Sequence, residues 1–118
     1  MTTDIAVKVK VEHTFTKDAI ESLLVGAFEG GSNYWIRWVK PVQEGVDFYD
    51  APFGYGVRVR ADDETHSRLL NMTAIEKGLQ LMADTQPRHM ADLLNQNDDA
   101  TTSDVFLQLC LFGYLVYG

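Results

Sequence analysis

The segment with the greatest potential for chemistry reads Ser-Asn-Tyr-Trp-Ile-Arg-Trp, at residues 32–38. It contains both tryptophans of the chain and follows directly after Gly30 and Gly31. Glycines let a ligand approach the backbone, Ser and Asn supply hydrogen-bond donors and acceptors, aromatic rings stack on planar groups, and Arg binds anions. The segment therefore predicts the floor of a site for a nucleotide-like ligand. Alternatively, Tyr34, Trp35 and Trp38 belong to the core and the two glycines only stop a helix.

A second cluster of possible anion ligands lies in the alternating segment 55–61, which places Arg58 and Arg60 on one face of a predicted strand. Arg68 lies near them if the next strand forms a hairpin with this one, and three guanidinium groups on one face would bind an anion. The competing interpretation is a solvated face that the acids of residues 62–64 neutralise. The candidate ligand-binding residues are Ser32, Asn33, Tyr34, Trp35, Arg37, Trp38, Arg58 and Arg60.

Sequence signatures of catalysis are absent. There is no phosphate-binding glycine loop and no GxSxG nucleophile elbow. The three histidines, His13, His66 and His89, lie in separate predicted elements without metal-ligand spacing. The single Cys110 lies in an apolar run, as expected of a buried thiol rather than a nucleophile. We therefore expect a binding protein, not an enzyme, with no catalytic residue, no metal and no cofactor.

Length and charge narrow the class of protein further. A chain of 118 residues predicts a single domain over residues 1–118. The net charge of −7 disfavours direct binding to DNA, which needs a basic surface. No secretion signal is visible, and the most apolar run, residues 105–117, is shorter than the roughly 20 residues that span a bilayer. These features predict a cytoplasmic protein that does not enter the membrane.

Hydrophobic periodicity predicts the elements that position these side chains. The clearest strand has Ile, Val, Val and Val at alternate positions of residues 5–11. Thr16 is expected to cap the first helix, and a Thr-Ala-Ile-Glu capping box at residues 73–76 is expected to open the second. The predicted elements are strands over residues 5–11, 35–39 (uncertain), 55–61 and 66–72, helices over 17–29, 73–84 and 87–95, and a last helix that Thr101 or Thr102 caps and that includes the run 105–117.

Together these elements predict an α+β fold, with a small antiparallel sheet of three to four strands and helices packed on one face, in the order β-α-(β)-β-β-α-α-α. The last helix is apolar all round, and burying all of it in one small core is difficult, so part of it is expected to form a homo-oligomer contact. The aromatic loop at residues 43–54 is expected either to close as a lid over Trp35 and Trp38 or to be a mobile crossover.

Two stretches resemble small accessory proteins of tailed bacteriophages and prophages. They are EGGSNYW at residues 29–35 and DVFLQLCLFGYLVYG at residues 104–118, and the opening of the first helix, residues 16–24, shares the likeness. The resemblance implies an accessory phage product that acts in the bacterial cytoplasm. Some such proteins counter host defence, either by trapping a nucleotide signal or by docking on a defence protein.

Two functional hypotheses follow. The first is a non-enzymatic protein that sequesters a small nucleotide-like signalling ligand, with the ring stacked on an aromatic side chain and the phosphates bound by arginines. The alternative is an acidic inhibitor or adaptor that docks on a host defence protein or a nucleic-acid-binding protein, through acids such as those of residues 62–64 and 98–99. A virion or assembly component is a third possibility.

Overall fold

A computed structural model of the chain describes residues 3–7 and 9–118, and these residues form an antiparallel sheet with four α-helices packed against it. The α+β class is confirmed, and the uncertain strand is present. The helices are α1 (Lys17–Gly26), α2 (Met72–Thr85), α3 (Pro87–Leu94) and α4 (Ala100–Phe112). The strands are β1 (Ile36–Pro41), β2 (Val57–Ala61) and β3 (Arg68–Leu70). The described elements also include a π-helical turn (Ala27–Gly31) and a 3-10 turn (Ala51–Phe53).

The strand order is β1-β2-β3, and both pairings are antiparallel. One face of the sheet is covered: Val57, Val59 and Leu70 are at most 1% exposed and belong to the main hydrophobic core. The residues opposite them in neighbouring strands share this covered face, because directly paired residues point the same way. The alternate residues of each strand therefore form the other face of the sheet.

Helix α4 occupies the middle of the helical layer and touches α1, α2 and α3. Every residue from 102 to 110 is buried within this single chain. Two glycines let neighbouring segments approach so closely: a Cβ on Gly31 would collide with the carbonyl oxygen of Ala100, and one on Gly78 would lie 2.9 Å from the Cα of Cys110. One domain therefore buries most of this helix, whereas Tyr114, Leu115 and Val116 of the predicted apolar run are 42–67% exposed, and the oligomer contact stays a prediction.

The helix ends show which local signals are strongest. The Thr16 side chain accepts a hydrogen bond from the Ala19 backbone at 3.1 Å, which confirms the predicted cap of α1. Helix α2 begins earlier than predicted, because Asn71 is its cap. Helix α4 is capped by Asp99 rather than by a threonine, because a carboxylate accepts the free backbone N–H groups of the first turn.

Two helix stops differ from expectation. No left-handed glycine closes α1; the helix widens into the π-helical turn, and Ser32 then ends it. Helix α4 stops at Phe112 rather than near residue 117, because Gly113 adopts a left-handed conformation with φ of 80°. The chain after Gly113 is thereby free to turn back along the helix.

The predicted first strand is wrong. Residues 3–7 and 9–14 contain no strand or helix, and Ile5, Val7, Val9 and Val11 are 73–81% exposed. Position 8 of that predicted strand lies outside the described residues. Alternation of apolar and polar residues favours an extended backbone, but a strand also needs a neighbouring strand to pair with. No described strand of this chain pairs with the segment.

The aromatic loop packs onto α1 and the turn that follows it, not onto the tryptophans. The ring of Phe28 lies 6.1 Å from that of Phe48 and 6.4 Å from that of Tyr49. Lys17 forms a salt bridge with Asp50 at 3.4 Å. The expected lid is therefore wrong, because these contacts direct the loop away from Trp35 and Trp38. In the described part of the chain, no helix has the length and apolar character needed to cross a membrane.

Candidate binding face

The fold divides the predicted ligand floor into a buried part and an exposed part. Ser32 and Trp35 are 0% and 2% exposed, and both side chains donate to one oxygen of Asp104, each at 2.8 Å. Tyr34 is 55% exposed, but its hydroxyl donates to the second Asp104 oxygen at 2.6 Å. These side chains are committed to a hydrogen-bond network within the protein, so Ser32 and Trp35 are not available to a ligand.

Asp104 is the residue that sequence reasoning missed, since its position suggested only an acid near the start of a helix. It is 7% exposed, and its neutral donors satisfy three of the positions at which a carboxylate can accept a hydrogen bond. A useful signal was present: a charged residue at the start of a buried apolar helix needs donors, and residues 32–35 are an unbroken run of four donor side chains. The network links residues 32–35 to α4, although the two segments are about 70 positions apart in the sequence.

Trp35 is further enclosed by the end of the chain. Its ring stacks on that of Tyr117, with centroids 5.0 Å apart and planes 9° from parallel, and the Phe112 ring lies 5.5 Å away. The Gln108 amide holds this returning segment, because its oxygen accepts hydrogen bonds from the Val116 and Tyr117 backbones, both at 2.8 Å. Trp35 is therefore core, as the alternative interpretation proposed.

The second tryptophan lies on the other side of the sheet. Trp38 pairs with Arg60, and Lys40 pairs with Arg58, so these four side chains share the face opposite the covered one. We call this group the basic face. The Lys40 ammonium lies 4.9 Å from the centroid of the Trp38 ring, and the Arg60 Nε donates to the backbone oxygen of Glu64 at 2.9 Å.

The charge of the basic face is unusual for this protein. The chain has 10 basic and 17 acidic residues, yet none of the described strands contains Asp or Glu. Among the residues that the structure describes, Lys40, Arg58 and Arg60 form no salt bridge with a carboxylate. Trp38 is half-buried, which fixes its ring but leaves part of it open. The geometry thus offers a planar ring surrounded by unneutralised cations.

The remaining predicted residues have different places. Arg37 and Asn33 are exposed, and Arg37 occupies an irregularity of register between Ile36 and Trp38, which turns it out of the regular alternation. Arg68 pairs with Val59 and so lies on the covered face, where it forms a salt bridge with Glu64 at 2.7 Å. The three arginines do not converge: Arg58 and Arg60 share a face, and Arg68 lies on the opposite one.

A separate open pocket of about 770 Å³ lies beside Tyr34, Asp104 and Gln108, between α4 and the returning end of the chain. The side chains of Tyr34, Asp104 and Gln108 are already used in the networks described above. No group of three His, Cys, Asp or Glu side chains suited to a metal ion occurs within residues 3–7 and 9–118. Comparisons with protein-family models, curated proteins and solved structures found no match to this chain.

Proposed function

We propose that this protein is a non-enzymatic binding protein whose basic face takes a small anionic ligand with a planar ring, of the nucleotide type. The observation that carries the proposal is the half-buried Trp38 ring, flanked by Lys40, Arg58 and Arg60 on strands that contain no Asp or Glu. The rest of the molecule is strongly acidic, so an anion would be attracted to this face and repelled elsewhere.

The chemistry of the face matches the two parts of a nucleotide. Stacking of a base on an aromatic side chain contributes about 1–3 kcal/mol. The guanidinium of Arg58 can form two parallel hydrogen bonds with a phosphate, and Lys40 adds a compact positive charge. Lys40 at present lies over the Trp38 ring, so the base would have to displace its ammonium toward the phosphate side of the ligand.

The proposed site keeps Trp38, Arg58 and Arg60 from the sequence-based set and adds Lys40. Exposed Arg37 lies next to Trp38 in the chain and is a further candidate for phosphate contact. The resemblance to phage accessory proteins supplies a biological setting for the proposal: sequestration of a nucleotide signal that a bacterial host uses in its defence. No covalent step is required, because binding alone lowers the concentration of free signal.

The competing function is an acidic inhibitor that docks on a basic host protein, for which Asp62, Asp63, Asp98 and Asp99 are exposed. The two functions respond differently to substitution. Removal of a positive charge from the basic face should weaken nucleotide binding but leave acidic docking intact. Replacement of the exposed aspartates should do the reverse.

The test is isothermal titration of the protein with cyclic, linear and dinucleotide ligands, preceded by native mass spectrometry to find which one binds. Arg58→Ala should raise Kd about 10-fold or more, since the loss of one charge-assisted contact costs about 1.4 kcal/mol or more. Arg88→Ala is the matched control, because Arg88 is an exposed arginine on α3. Failure of every nucleotide to bind the wild type, or an equal Kd for Arg58→Ala and Arg88→Ala, would refute the proposed site.

A further inference from the structure

The segment before α1 carries apolar side chains that the protein leaves in water. Ile5 and Val11 are 81% exposed, Val7 is 75% exposed and Val9 is 73% exposed. All four are β-branched, occupy alternate positions and would form one continuous face if the backbone were extended. We call residues 3–7 and 9–11 the arm.

The shape of the chain shows that the arm projects from the domain. The principal extents are 65, 27 and 20 Å, and the radius of gyration of 15.8 Å exceeds the value of about 13.5 Å expected for a compact chain of this length. Nine extended residues reach about 30 Å. Because the arm projects, its apolar face does not pack against the hydrophobic core.

The edges of the sheet are poor partners for the arm. The edge strand β1 has an irregular register after Ile36 and ends at Pro41, which has no backbone N–H. The opposite edge strand, β3, is three residues long. Irregular register, proline and short length are features that protect sheet edges from further pairing, so strand addition to either edge is disfavoured.

We propose that the arm is a dimerisation strand, which pairs antiparallel with the arm of a second copy of this chain. Charge and apolar pairing together select the register. A two-fold axis at Val7 places Ile5 opposite Val9 on the apolar face and Asp4 opposite Lys10 on the polar face. Opposite charges in direct cross-strand contact stabilise such a pair.

The neighbouring registers are less favourable. A two-fold axis at residue 8 would place Asp4 opposite Glu12, and one at Val9 would bring lysines together. Like charges directly opposite each other destabilise a strand pair. An axis at Ala6 would also pair Asp4 with a lysine, but it would place Val9 opposite Thr3 and so lose apolar pairing. The Val7 register is therefore preferred, and it makes Val7 the residue that meets itself across the axis.

An apolar groove lies on the domain at the base of the arm, where it offers additional contact to the end of the partner arm, and an isolated two-stranded ribbon is only marginally stable. The groove has a volume of about 450 Å³ and begins where the arm joins the domain. In the Val7 register, Thr3 of one arm lies opposite Val11 of the other, so the second arm reaches this groove. Its apolar lining includes Val11, Phe15, Met72, Ile75, Leu79 and Leu94.

The test is the mass in solution of the full chain, measured by sedimentation equilibrium over a range of concentrations. The wild type should be a dimer, and Val7→Asp should be a monomer, because two carboxylates would face each other on the apolar face. The matched control is Val42→Asp, since Val42 is 49% exposed and lies outside the arm. Far-ultraviolet circular dichroism should show that both variants keep the folded domain. A monomeric wild type, or a Val7→Asp variant that stays dimeric, would overturn the proposal.

Cysteine cross-linking tests the register independently. Val7→Cys should form an intermolecular disulfide on mild oxidation, because the two positions meet at the axis, whereas Val9→Cys should not, because it faces Ile5. The native Cys110 is 7% exposed and should not contribute to cross-linking. Equal cross-linking of the two variants would contradict the Val7 register.

Discussion

Replacement of the buried carboxylate by Asp104→Ala should strongly destabilise the protein. The substitution leaves the Ser32 hydroxyl and the Trp35 indole N–H without an acceptor, and both groups are at most 2% exposed. A buried donor without a partner costs about 1–3 kcal/mol. The Tyr34 hydroxyl adds little to this cost, because Tyr34 is 55% exposed and its hydroxyl can donate to water.

We expect a loss of about 4 kcal/mol in the free energy of unfolding, after allowing for the desolvation cost of a buried carboxylate that the substitution removes. A domain of this size has a total stability of about 5–15 kcal/mol, so the variant should unfold at a much lower urea concentration. Asp104→Asn should lose less, because the amide keeps one acceptor oxygen and can donate to the Tyr34 hydroxyl.

The assay is urea unfolding followed by circular dichroism, with Asp98→Ala as the control because Asp98 is exposed. The double variant Ser32→Ala/Asp104→Ala provides a further check. It should lose less stability than the sum of the single variants. The Ser32 hydroxyl, which Asp104→Ala leaves without an acceptor, is absent from the double variant. A loss below about 1 kcal/mol for Asp104→Ala, or strict additivity in the double variant, would refute the reasoning.

The other predictions concern ionisation, thiol reactivity and close packing. Burial and a hydrogen bond to a carboxylate raise the pKa of Tyr34 and of Tyr117 to about 12, so folding stability should fall as the pH rises from about 10 through 12. Absorbance at 295 nm should show the late-titrating signal reduced by one tyrosine in Tyr34→Phe, and an unchanged titration would contradict the hydrogen bond to Asp104. Burial raises the pKa of Cys110, so a thiol reagent should label it only on unfolding, and rapid labelling of the folded protein would show that the site opens. Gly78→Ala should destabilise by about 2 kcal/mol or more in urea unfolding, because its Cβ would meet the α4 backbone, whereas Gly30→Ala, which meets nothing within 4 Å, should have little effect.

Local signals in the sequence predicted most helices and strands to within a few residues. Helix α1 begins at its predicted threonine cap, and β2 lies within the alternating segment 55–61. Thr73 was a plausible cap by motif, but Asn71 begins α2, because several nearby residues offer a side-chain oxygen and tertiary packing selects among them. Errors of this kind move the end of an element without changing the fold.

The candidate site was predicted less well, because a site depends on contacts between distant segments. Trp35 and Trp38 lie three positions apart, yet one is enclosed by residues near position 117 and the other lies on the basic face. Trp35 precedes β1, and its contacts with Asp104 and Tyr117 rather than strand alternation hold it in the core. Composition indicated aromatic rings and arginines, but it contained no information about which face each would occupy.

The sequence by itself determined the class of fold, the buried state of Cys110 and the alternation that places Arg58 and Arg60 on one face, because each depends on spacing within one segment. Only the tertiary structure decided that Asp104 accepts hydrogen bonds from Ser32 and Trp35 and that the rest of the chain encloses α4. Only the tertiary structure left the arm unpaired. The physical reason is that burial and pairing depend on neighbours remote in sequence, whereas periodicity and capping depend on residues within one or two turns.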